Sequence, residues 1–347
     1  MSDPLIARLD PASFAEVARH VLDAPSYEWI RSGAGDEQSL SDNEAAFKRH
    51  RLRPHVLVDV SEVNVATTVL GTGVGLPVGI APLGLQKVMH PDGELAMAEG
   101  AARARSLFIV AVNATTAVEE IANAQPSLPL WFQLYNWDDR DELAHVVERA
   151  EAAGVKAIVP LVNTAIGVSH TPWRVGFRGL PAGATFAHFT TSPDLTPSNT
   201  YEYIEWLAGR TSLPIVPKGI MSGADAVRAI DAGAKGILVS NHGGRQLPRS
   251  LATLDALPDV VIAVNGRAEV YLDGGVRSGT DVLIALALGA RAVFIGRPAA
   301  WGLAVGGADG VARVLDTIRG ELADDAGLCG ITDIARIPSD VVVAGAA

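Results

Sequence analysis

The sequence predicts a (β/α)8 TIM barrel, because eight short apolar runs alternate along the chain with alanine-rich segments of helical period. Each run is enriched in β-branched residues and apolar nearly throughout, which is typical of parallel strands buried on both faces. A doubly wound sheet is the alternative, but it usually needs a glycine-rich first turn, and no GxGxxG follows the first run. The runs begin at Leu76, Leu107, Leu128, Ala157, Leu213, Gly236, Glu269 and Ala292.

The segments between these runs predict the helices of the barrel. Four of them place alanine or leucine at positions i, i+3 and i+4 and finish with glycine or a small polar residue, as amphipathic helices do. They occupy residues 94–106, 141–154, 223–233 and 279–290.

Two segments stand outside this alternation. Residues 1–70 contain a helical stretch, a turn-rich SGAGDE and the segment AAFKRHRLRPHVLVDVSEV, and they lack a core of their own. We expect them to cap one mouth of the barrel at 71–347, within a single domain that spans residues 1–347. Residues 177–200 form a long insertion rich in Pro, Gly, Ser and Thr after the fourth strand. A loop of this length predicts a lid over the active site.

Composition narrows the class of protein. The chain has 347 residues, 48% of them hydrophobic, which is ample for a large core and excludes a disordered protein. Its 39 acidic and 28 basic residues argue against nucleic acid as a partner. The first residues carry no export signal and no run of about 18 apolar residues occurs, so we expect a soluble cytoplasmic protein without a membrane partner.

Metal, disulfide and serine-nucleophile chemistry find no support in the sequence. Cys329 is the sole cysteine, so neither an internal disulfide nor a thiolate metal cage is expected. The eight histidines include no HxH or HxxxH spacing, and no GxSxG elbow is present.

Polar side chains interrupt the apolar runs near their C-terminal ends. Because the strand C-termini of a barrel converge on one face, these side chains meet whatever their separation in sequence. Burying charged groups there is costly unless something pairs with them, so the cluster predicts a polar or anionic ligand. The cluster comprises Gln133, Tyr135, Asn163, Lys218, Ser240, Asn241, His242, Arg245, Asp273, Arg277 and Arg297.

The seventh and eighth strands end in glycine-rich motifs with arginines. DGGVRSGTD, from Asp273, and IGRP, from Ile295, bring together backbone amides, helix N-termini, Arg277 and Arg297. This combination is the usual phosphate site of such barrels. Glycines that form plain tight turns are the alternative for either motif alone. Both motifs together predict a phosphorylated ligand.

The motif SNHGGRQ after the sixth strand carries the candidate chemistry. His242 suits proton abstraction near neutral pH. The two glycines let the chain turn back, so that Arg245 can bind a carboxylate in the same pocket through two parallel hydrogen bonds. A histidine that caps the next helix, with an arginine in a surface ion pair, is the alternative.

Lys218 and Tyr135 stay ambiguous from the residues alone. Lys218 could form a Schiff base, clamp a phosphate or place a charge beside a cofactor ring, or its ammonium could snorkel to the surface. Tyr135, at the end of WFQLY, could donate a hydrogen bond to a substrate or be a half-buried core residue.

The chain resembles the FMN-dependent α-hydroxy acid oxidases and dehydrogenases, the group of glycolate, lactate and mandelate or 4-hydroxymandelate oxidase. The resemblance runs in order from about Tyr27 to the C-terminal helices, and VSNHGGRQ and DGGVRSGTDV are highly specific to the family. It implies a TIM barrel that holds FMN at the strand C-termini, commonly as a homotetramer. The other matching motifs are YEWIRSGAGDE, LRPHVLVDVS, GIAPLGLQKVMHPDGE, WFQLY, KGI and IGRP.

The resemblance also implies roles for individual residues. His242 matches the base that takes the proton of a 2-hydroxy acid while a hydride equivalent reaches flavin N5. Arg245 matches the arginine that holds the substrate carboxylate, and Tyr27 and Tyr135 match two active-site tyrosines. Lys218 matches the lysine beside flavin N1 and O2. The residues that match flavin contacts are Pro82, Leu83, Gly84, Gln133, Ser240, Asp273, Gly275, Arg277, Gly296 and Arg297.

The segment after the fourth strand departs from the family. The family usually shows a Thr-Val-Asp-Thr-Pro run and then Gly-Arg-Arg-Glu, whose second arginine contacts the substrate carboxylate. Here Leu161, Asn163 and Ala165 replace the threonine, the aspartate and the proline, and no arginine follows Gly167 directly. Ser169 or His170 occupies the place of this arginine, and Arg174 lies further along, from where it could swing back. Two further departures are the run AVNATT after the second strand and Pro248, where an aspartate is usual.

We therefore expect an FMN-dependent oxidoreductase that acts on the C–OH of a 2-hydroxy acid, or on an analogue with an ester, an amide or a tether in place of the free carboxylate. Gly84 is small and would leave room for a bulky or aromatic substrate. Dioxygen or an electron carrier would accept the electrons. The alternatives are a flavin barrel of a specialised pathway that carries out a different oxidation or a non-redox isomerisation, as in type II isopentenyl diphosphate isomerase, and a flavin-binding module without chemistry.

Overall fold

The computed structural model describes residues 6–164, 166, 177, 179–189 and 196–345. The strands are β1 (His50–Leu52), β2 (Thr67–Val69), β3 (Thr72–Val74), β4 (Val78–Ile80), β5 (Phe108–Ala111), β6 (Leu130–Leu134), β7 (Ile158–Pro160), β8 (Lys218–Ile220), β9 (Gly236–Val239), β10 (Glu269–Asp273), β11 (Ala292–Ile295) and β12 (Val342–Ala344). The helices are α1 (Pro11–Val21), α2 (Ala24–Arg31), α3 (Gln38–Lys48), α4 (Gly93–Arg103), α5 (Val118–Ala124), α6 (Arg140–Ala152), α7 (Tyr201–Arg210), α8 (Gly223–Asp231), α9 (Thr253–Val264), α10 (Gly279–Ala287) and α11 (Arg297–Leu328).

The strands β4 to β11 form a closed barrel. They are parallel and pair in the order β7-β6-β5-β4-β11-β10-β9-β8. The ring closes between β7 and β8, where Val216 N donates to Ile158 O at 2.8 Å and Val162 N donates to Lys218 O at 2.9 Å. Every barrel strand lies within one of the eight predicted runs. The predicted TIM barrel is confirmed, and the doubly wound alternative is wrong.

The N-terminal end of the barrel is closed by side chains and a hairpin. Trp131, Tyr271 and Phe294 meet inside the barrel, with ring centroids 5.3, 5.5 and 5.9 Å apart. The antiparallel hairpin β2–β3 lies against this end, where Leu70 N donates to the carboxylate of Glu269 at 3.1 Å. A ligand therefore reaches the barrel from the C-terminal ends of its strands.

The N-terminal segment lies over this C-terminal mouth. Arg245 NH1, after β9, donates to the carbonyls of Ile30 at 3.2 Å and Ser32 at 2.9 Å. Arg297, after β11, donates to the same two carbonyls, from Nε at 3.1 Å and from NH2 at 3.1 Å. Two partly buried arginines thus hold the end of α2 against the barrel. The division of residues 1–347 into one domain stays a prediction.

Capping residues fix where the helices around the mouth begin. Ser278 and Asp281 form a capping box at the start of α10, each side chain accepting the other's backbone N–H, at 3.2 and 3.0 Å. The N-cap of α11 is Gly296, which has no side chain to satisfy the first amides of that helix. Further along, α11 bends at Gly306 and Gly307, whose backbone angles are not helical.

The insertion after β7 is anchored to the loop that follows the C-terminal end of β5 and to the start of α5. Ala187 N donates to Ala114 O at 3.0 Å. The ring of His188 lies 2.9 Å from Val112 O through Nδ1, and its Nε2 accepts the N–H of Val118 at 2.9 Å. Burial lowers the pKa of His188, which keeps the ring in the neutral form that this pair of contacts requires. The lid role stays a prediction, and residues 178 and 190–195 lie outside the described residues.

An amide pair joins the N-terminal segment to the end of β9. Asn43, on α3, and Asn241 are buried and exchange two side-chain hydrogen bonds, at 2.9 and 2.8 Å. We expect Asn43→Ala to lower the free energy of unfolding by about 2 kcal/mol, because it leaves buried polar groups without partners. Urea unfolding measures this change. Ser41→Ala, at an exposed position of α3, is the control and should stay within about 0.5 kcal/mol of the unmodified protein. If the two variants lose the same free energy of unfolding, the amide pair does not stabilise the attachment of the N-terminal segment.

Candidate active site

A cavity of about 370 Å³ opens at the C-terminal ends of the barrel strands. Most of the predicted site residues line it, although they come from loops far apart in sequence. The predicted residues in its lining are Pro82, Leu83, Gly84, Gln133, Tyr135, Lys218, His242, Arg245, Asp273, Gly275, Arg277, Gly296 and Arg297. Tyr27 and Ser240 are not among the lining residues.

A buried ion pair lies at the floor of the cavity. Lys218 Nζ lies 2.9 Å from Asp273 Oδ2 and donates to Ser240 Oγ at 2.8 Å. All three residues are buried. Ser240 therefore lies behind Lys218, where it satisfies the ammonium and also accepts the backbone N–H of His242 at 3.1 Å. This arrangement fixes a positive charge at the floor of the site, and the surface-lysine alternative is wrong.

The HGG turn after β9 carries the candidate base into the cavity. His242, Gly243 and Gly244 all adopt left-handed backbone conformations, with φ of 59°, 63° and 75°. Residues other than glycine rarely adopt these positive φ angles. In addition, a Cβ at Gly244 would lie 2.7 Å from Leu40 N. The two glycines therefore allow a tight turn under α3, which places His242 and Arg245 in one wall.

The surroundings of His242 determine the protonation state of its ring. Burial, and then the positive charges of Lys218, Arg245 and Arg297, hold the pKa of His242 well below its ordinary value of 6.5. The imidazole is thus neutral at pH 7. Its Nδ1 is buried and has no hydrogen-bond partner in the described part of the chain. A neutral ring among cations can act as a general base.

Arg245 and Tyr135 provide donors beside this base. Burial lowers the pKa of Arg245 to about 10, so the guanidinium stays charged at neutral pH. Burial raises the pKa of Tyr135, with the positive charge of Arg245 opposing, so its phenol stays protonated. The backbone carbonyl of Tyr135 accepts a hydrogen bond from the Tyr203 hydroxyl at 3.0 Å, which fixes its place. A guanidinium and a phenol that line the same cavity can bind a carboxyl group.

The two arginines expected at a phosphate already have protein partners. Arg277 NH2 donates to Glu44 Oε1 at 2.7 Å. Arg297 NH1 donates to Gly243 O at 3.0 Å, besides the bonds to the end of α2. Their contact with a phosphate stays a prediction. The first amides of α11, after Gly296, supply the anion-binding end of a helix in the same cavity.

The structure places Tyr27 beside the cavity instead of in its lining. Its ring stacks on Trp301 of α11, with centroids 5.0 Å apart. Trp29 of the same short helix lines the cavity, stacks on Phe177 at 4.7 Å, and lies under the guanidinium of Arg245 at 5.9 Å. A substrate contact from Tyr27 stays a prediction. Trp29 lies within the motif YEWIRSGAGDE, but the sequence predicted no role for it.

The segment after β7 contributes apolar and neutral groups where it is described. Leu161, Thr164 and Ile166 line the cavity. Asn163 Nδ2 donates to Ser240 O at 3.2 Å, which ties the end of β7 to the turn after β9. The remaining predictions for this segment lie outside the described residues and concern Ala165, Gly167, Ser169, His170 and Arg174.

Asn113 fills the space beside Gly84. A Cβ at Gly84 would lie 2.3 Å from Asn113 Oδ1. The room that Gly84 was expected to leave for a bulky substrate is therefore occupied by an amide in this direction. Asn113 lies in the run AVNATT, which departs from the family, and no role was predicted for it. Ala300 also lines the cavity and lies outside the quoted motifs.

Comparison with known proteins agrees with this geometry. The sequence model of the family described as FMN-dependent dehydrogenase matches residues 18–344. The chain belongs to this family. It is an FMN-dependent oxidoreductase that acts on CH–OH donors, and FMN is its cofactor.

Three relatives of this FMN-dependent dehydrogenase illustrate the likeness. An L-lactate oxidase of Nostoc sp. is 43% identical over 93% of this chain and 95% of that protein. A mandelate oxidase variant solved with (S)-mandelic acid is 38% identical, with a TM-score of 0.92 over 97% of this chain and 99% of that chain. A mandelate oxidase variant with leucine in place of an arginine, solved with 2-hydroxy-phenylacetamide, is 38% identical, with a TM-score of 0.89 over the same shares.

The residues present at the mouth fit FMN. Among the described cavity residues, four buried side-chain polar atoms have no hydrogen-bond partner, namely Gln133 Nε2, Thr164 Oγ1, His242 Nδ1 and Asp273 Oδ1. Buried polar atoms are normally satisfied, so this cluster calls for a ligand with donors and acceptors of its own. Isoalloxazine edges and ribityl hydroxyls have both, and the start of α11 suits the phosphate.

Proposed function

We propose that this enzyme oxidises the C2–OH of a 2-hydroxy acid, or of an analogue with a modified carboxyl group, to the 2-oxo product. The observation that carries the proposal is a neutral His242 and a charged Arg245 in one cavity wall. The reaction removes a proton from the hydroxyl and a hydride from C2, and bound FMN supplies the two-electron acceptor. A base and a carboxyl-binding cation are the protein groups that this chemistry needs.

Each polar residue of the wall has a proposed task. His242 accepts the hydroxyl proton at a ring nitrogen. Arg245 binds the carboxyl group, and Tyr135, protonated because burial raises its pKa, donates a hydrogen bond to the substrate. Lys218, fixed by Asp273, holds a positive charge against the cofactor ring. The residues proposed to hold FMN are Pro82, Leu83, Gly84, Gln133, Lys218, Ser240, Asp273, Gly275, Arg277, Gly296 and Arg297.

The lining favours a substrate with an apolar body. Trp29, Met89 and Leu161 present apolar surface to the cavity, and a related mandelate oxidase variant was solved with the aromatic (S)-mandelic acid. An amide or ester is the second candidate, because no arginine directly follows Gly167 in the sequence. The related structure solved with 2-hydroxy-phenylacetamide supports a carboxyl-modified ligand.

The electron acceptor, assembly and location are proposed on weaker support. We propose dioxygen as the acceptor because relatives are named oxidases, with an electron carrier as the alternative. A homotetramer in the cytoplasm follows from the family resemblance and the sequence pattern. Within the described residues, no helix combines the length and the apolarity needed to cross a membrane.

Anaerobic titration of the purified holoenzyme tests the proposed reaction. Free acids, methyl esters and amides of lactate and mandelate are added in turn, and bleaching of the flavin bands is followed. We expect bleaching with one 2-oxo product formed for each FMN reduced. Bleaching by esters and amides but by no free acid would select the second candidate. A flavin that stays oxidised with every compound would contradict both.

The pH dependence of flavin reduction follows from His242. The base must be neutral, and its pKa lies below 6.5, so the rate should be level from about pH 6.5 to 8 and fall only on the acid side. Stopped-flow reduction at saturating substrate, measured from pH 4.5 to 8, gives this profile. The acid limb should be absent in His242→Gln. A limb centred above pH 7 would argue against His242 as the base.

A further inference from the structure

The two sides of the cavity differ in charge. The lining residues that carry a charge or an imidazole all lie in or after β8 to β11, and they are Lys218, His242, Arg245, Asp273, Arg277 and Arg297. The ends of β4 and β5 supply a wall of residues 82–85, Met89 and Asn113. Because four strand positions separate β5 from β9 in the ring, this wall lies across the mouth from His242 and Arg245. A substrate held by its carboxyl group at Arg245 would meet this wall beside the FMN that residues 82–84 are proposed to hold.

Asn113 is the polar side chain of this otherwise apolar wall. Its backbone carbonyl accepts the N–H of Leu85 at 3.2 Å, so the residue is fixed relative to the wall. Its side-chain amide packs against Gly84, so a Cβ at position 84 would force this amide to shift. No described residue hydrogen-bonds this amide. Its donors and acceptor are therefore left to water or to a ligand.

We propose that Asn113 determines substrate specificity by hydrogen-bonding a neutral polar group, a hydroxyl or an amide, on the side chain of the 2-hydroxy acid. This inference rests on the proposed function. A substrate that covers Asn113 displaces its water, and an apolar substituent there would leave the amide unpaired. Sites that hydrogen-bond a substrate hydroxyl discriminate strongly against analogues that lack it. A second carboxylate is disfavoured, because the cations lie on the other side of the cavity.

Two isosteric substrate pairs test the role of Asn113. Glycerate and 2-hydroxybutanoate differ by a hydroxyl in place of a methyl group, as do 4-hydroxymandelate and 4-methylmandelate. The second-order rate constant for anaerobic flavin reduction is measured for each with the holoenzyme. We expect the hydroxyl member of at least one pair to react about tenfold faster or more, and Asn113→Leu to abolish that preference. A preference that survives in Asn113→Leu, or no preference in either pair, would overturn the proposal.

Controls separate this inference from folding defects and from the proposed function. Met89→Leu alters the same wall without a hydrogen-bonding group, so it should leave the ratio within each pair unchanged. If Asn113→Leu fails to retain FMN, Asn113→Ser replaces it in the test. The serine variant should still prefer the hydroxyl member of the pair, but less strongly than the unmodified enzyme. If no 2-hydroxy acid reduces the flavin, the proposed function fails. In that case the affinities of the corresponding 2-oxo acids are measured through the change in flavin absorbance. Equal affinities within both pairs would overturn the proposed role of Asn113.

Discussion

His242→Gln is expected to slow anaerobic reduction of FMN by a 2-hydroxy acid by about 10²- to 10⁴-fold, the range that general-base catalysis supplies. Glutamine preserves size and polarity but accepts no proton near neutral pH. The unmodified imidazole is ready for this task at pH 7, because burial and three nearby cations hold the pKa of His242 well below 6.5. Stopped-flow absorbance at the flavin bands measures the rate.

The control for this substitution is His145→Gln, at an exposed position of α6. It should leave the rate of flavin reduction unchanged, and both variants should retain FMN as the unmodified enzyme does. If His242→Gln reduces FMN within about threefold of the unmodified rate, another group takes the proton and the assignment of the base is wrong.

Lys218→Met is expected to lower the free energy of unfolding by about 3–5 kcal/mol, because it leaves the buried carboxylate of Asp273 without its cation. Asp273→Asn should be costly for the converse reason. The double variant contains neither buried charge, so it should be more stable than the sum of the two single costs predicts. Urea unfolding of all four proteins in excess FMN gives the coupling free energy.

An exposed ion pair provides the matched comparison. Arg267 NH1 lies 3.0 Å from Asp231 Oδ1, and the two side chains are 43% and 63% exposed. Arg267→Met should cost less than about 1 kcal/mol, because water screens such a pair. Similar costs for Lys218→Met and Arg267→Met would mean that the pair at the cavity floor does not depend on burial.

The barrel and much of its mouth could be predicted from the sequence for a physical reason. Parallel strands buried on both faces must be apolar throughout, so the eight runs stand out from the amphipathic helices. Lys218, His242 and Asp273 interrupt or follow those runs, and closure of the barrel brings strand ends to one face.

The contacts of the N-terminal segment could not be predicted in the same way. Arg245 and Arg297 donate to the backbone carbonyls of Ile30 and Ser32, and carbonyls carry no side-chain signal. The face of α2 that meets the cavity depends on the packing of other elements. Tyr27 stacks on a distant tryptophan of α11, which leaves the next aromatic residue of the helix to line the site.

Asn113 also escaped prediction, because a single amide after a strand forms no motif. Its place became informative only when the structure showed the amide packed on Gly84 in a wall that is otherwise apolar. Ser240 was among the predicted site residues, but its hydrogen bond to Lys218 is seen only in the folded structure.

A crystal structure of the FMN holoenzyme with a bound 2-oxo acid tests most directly whether His242 and Arg245 hold the reacting group between them. We predict a carboxyl group within hydrogen-bond distance of the Arg245 guanidinium, and a 2-oxo oxygen within hydrogen-bond distance of a ring nitrogen of His242. A 2-oxo acid bound with its carboxyl group away from Arg245, or with its oxo oxygen out of reach of His242, would contradict the proposed function.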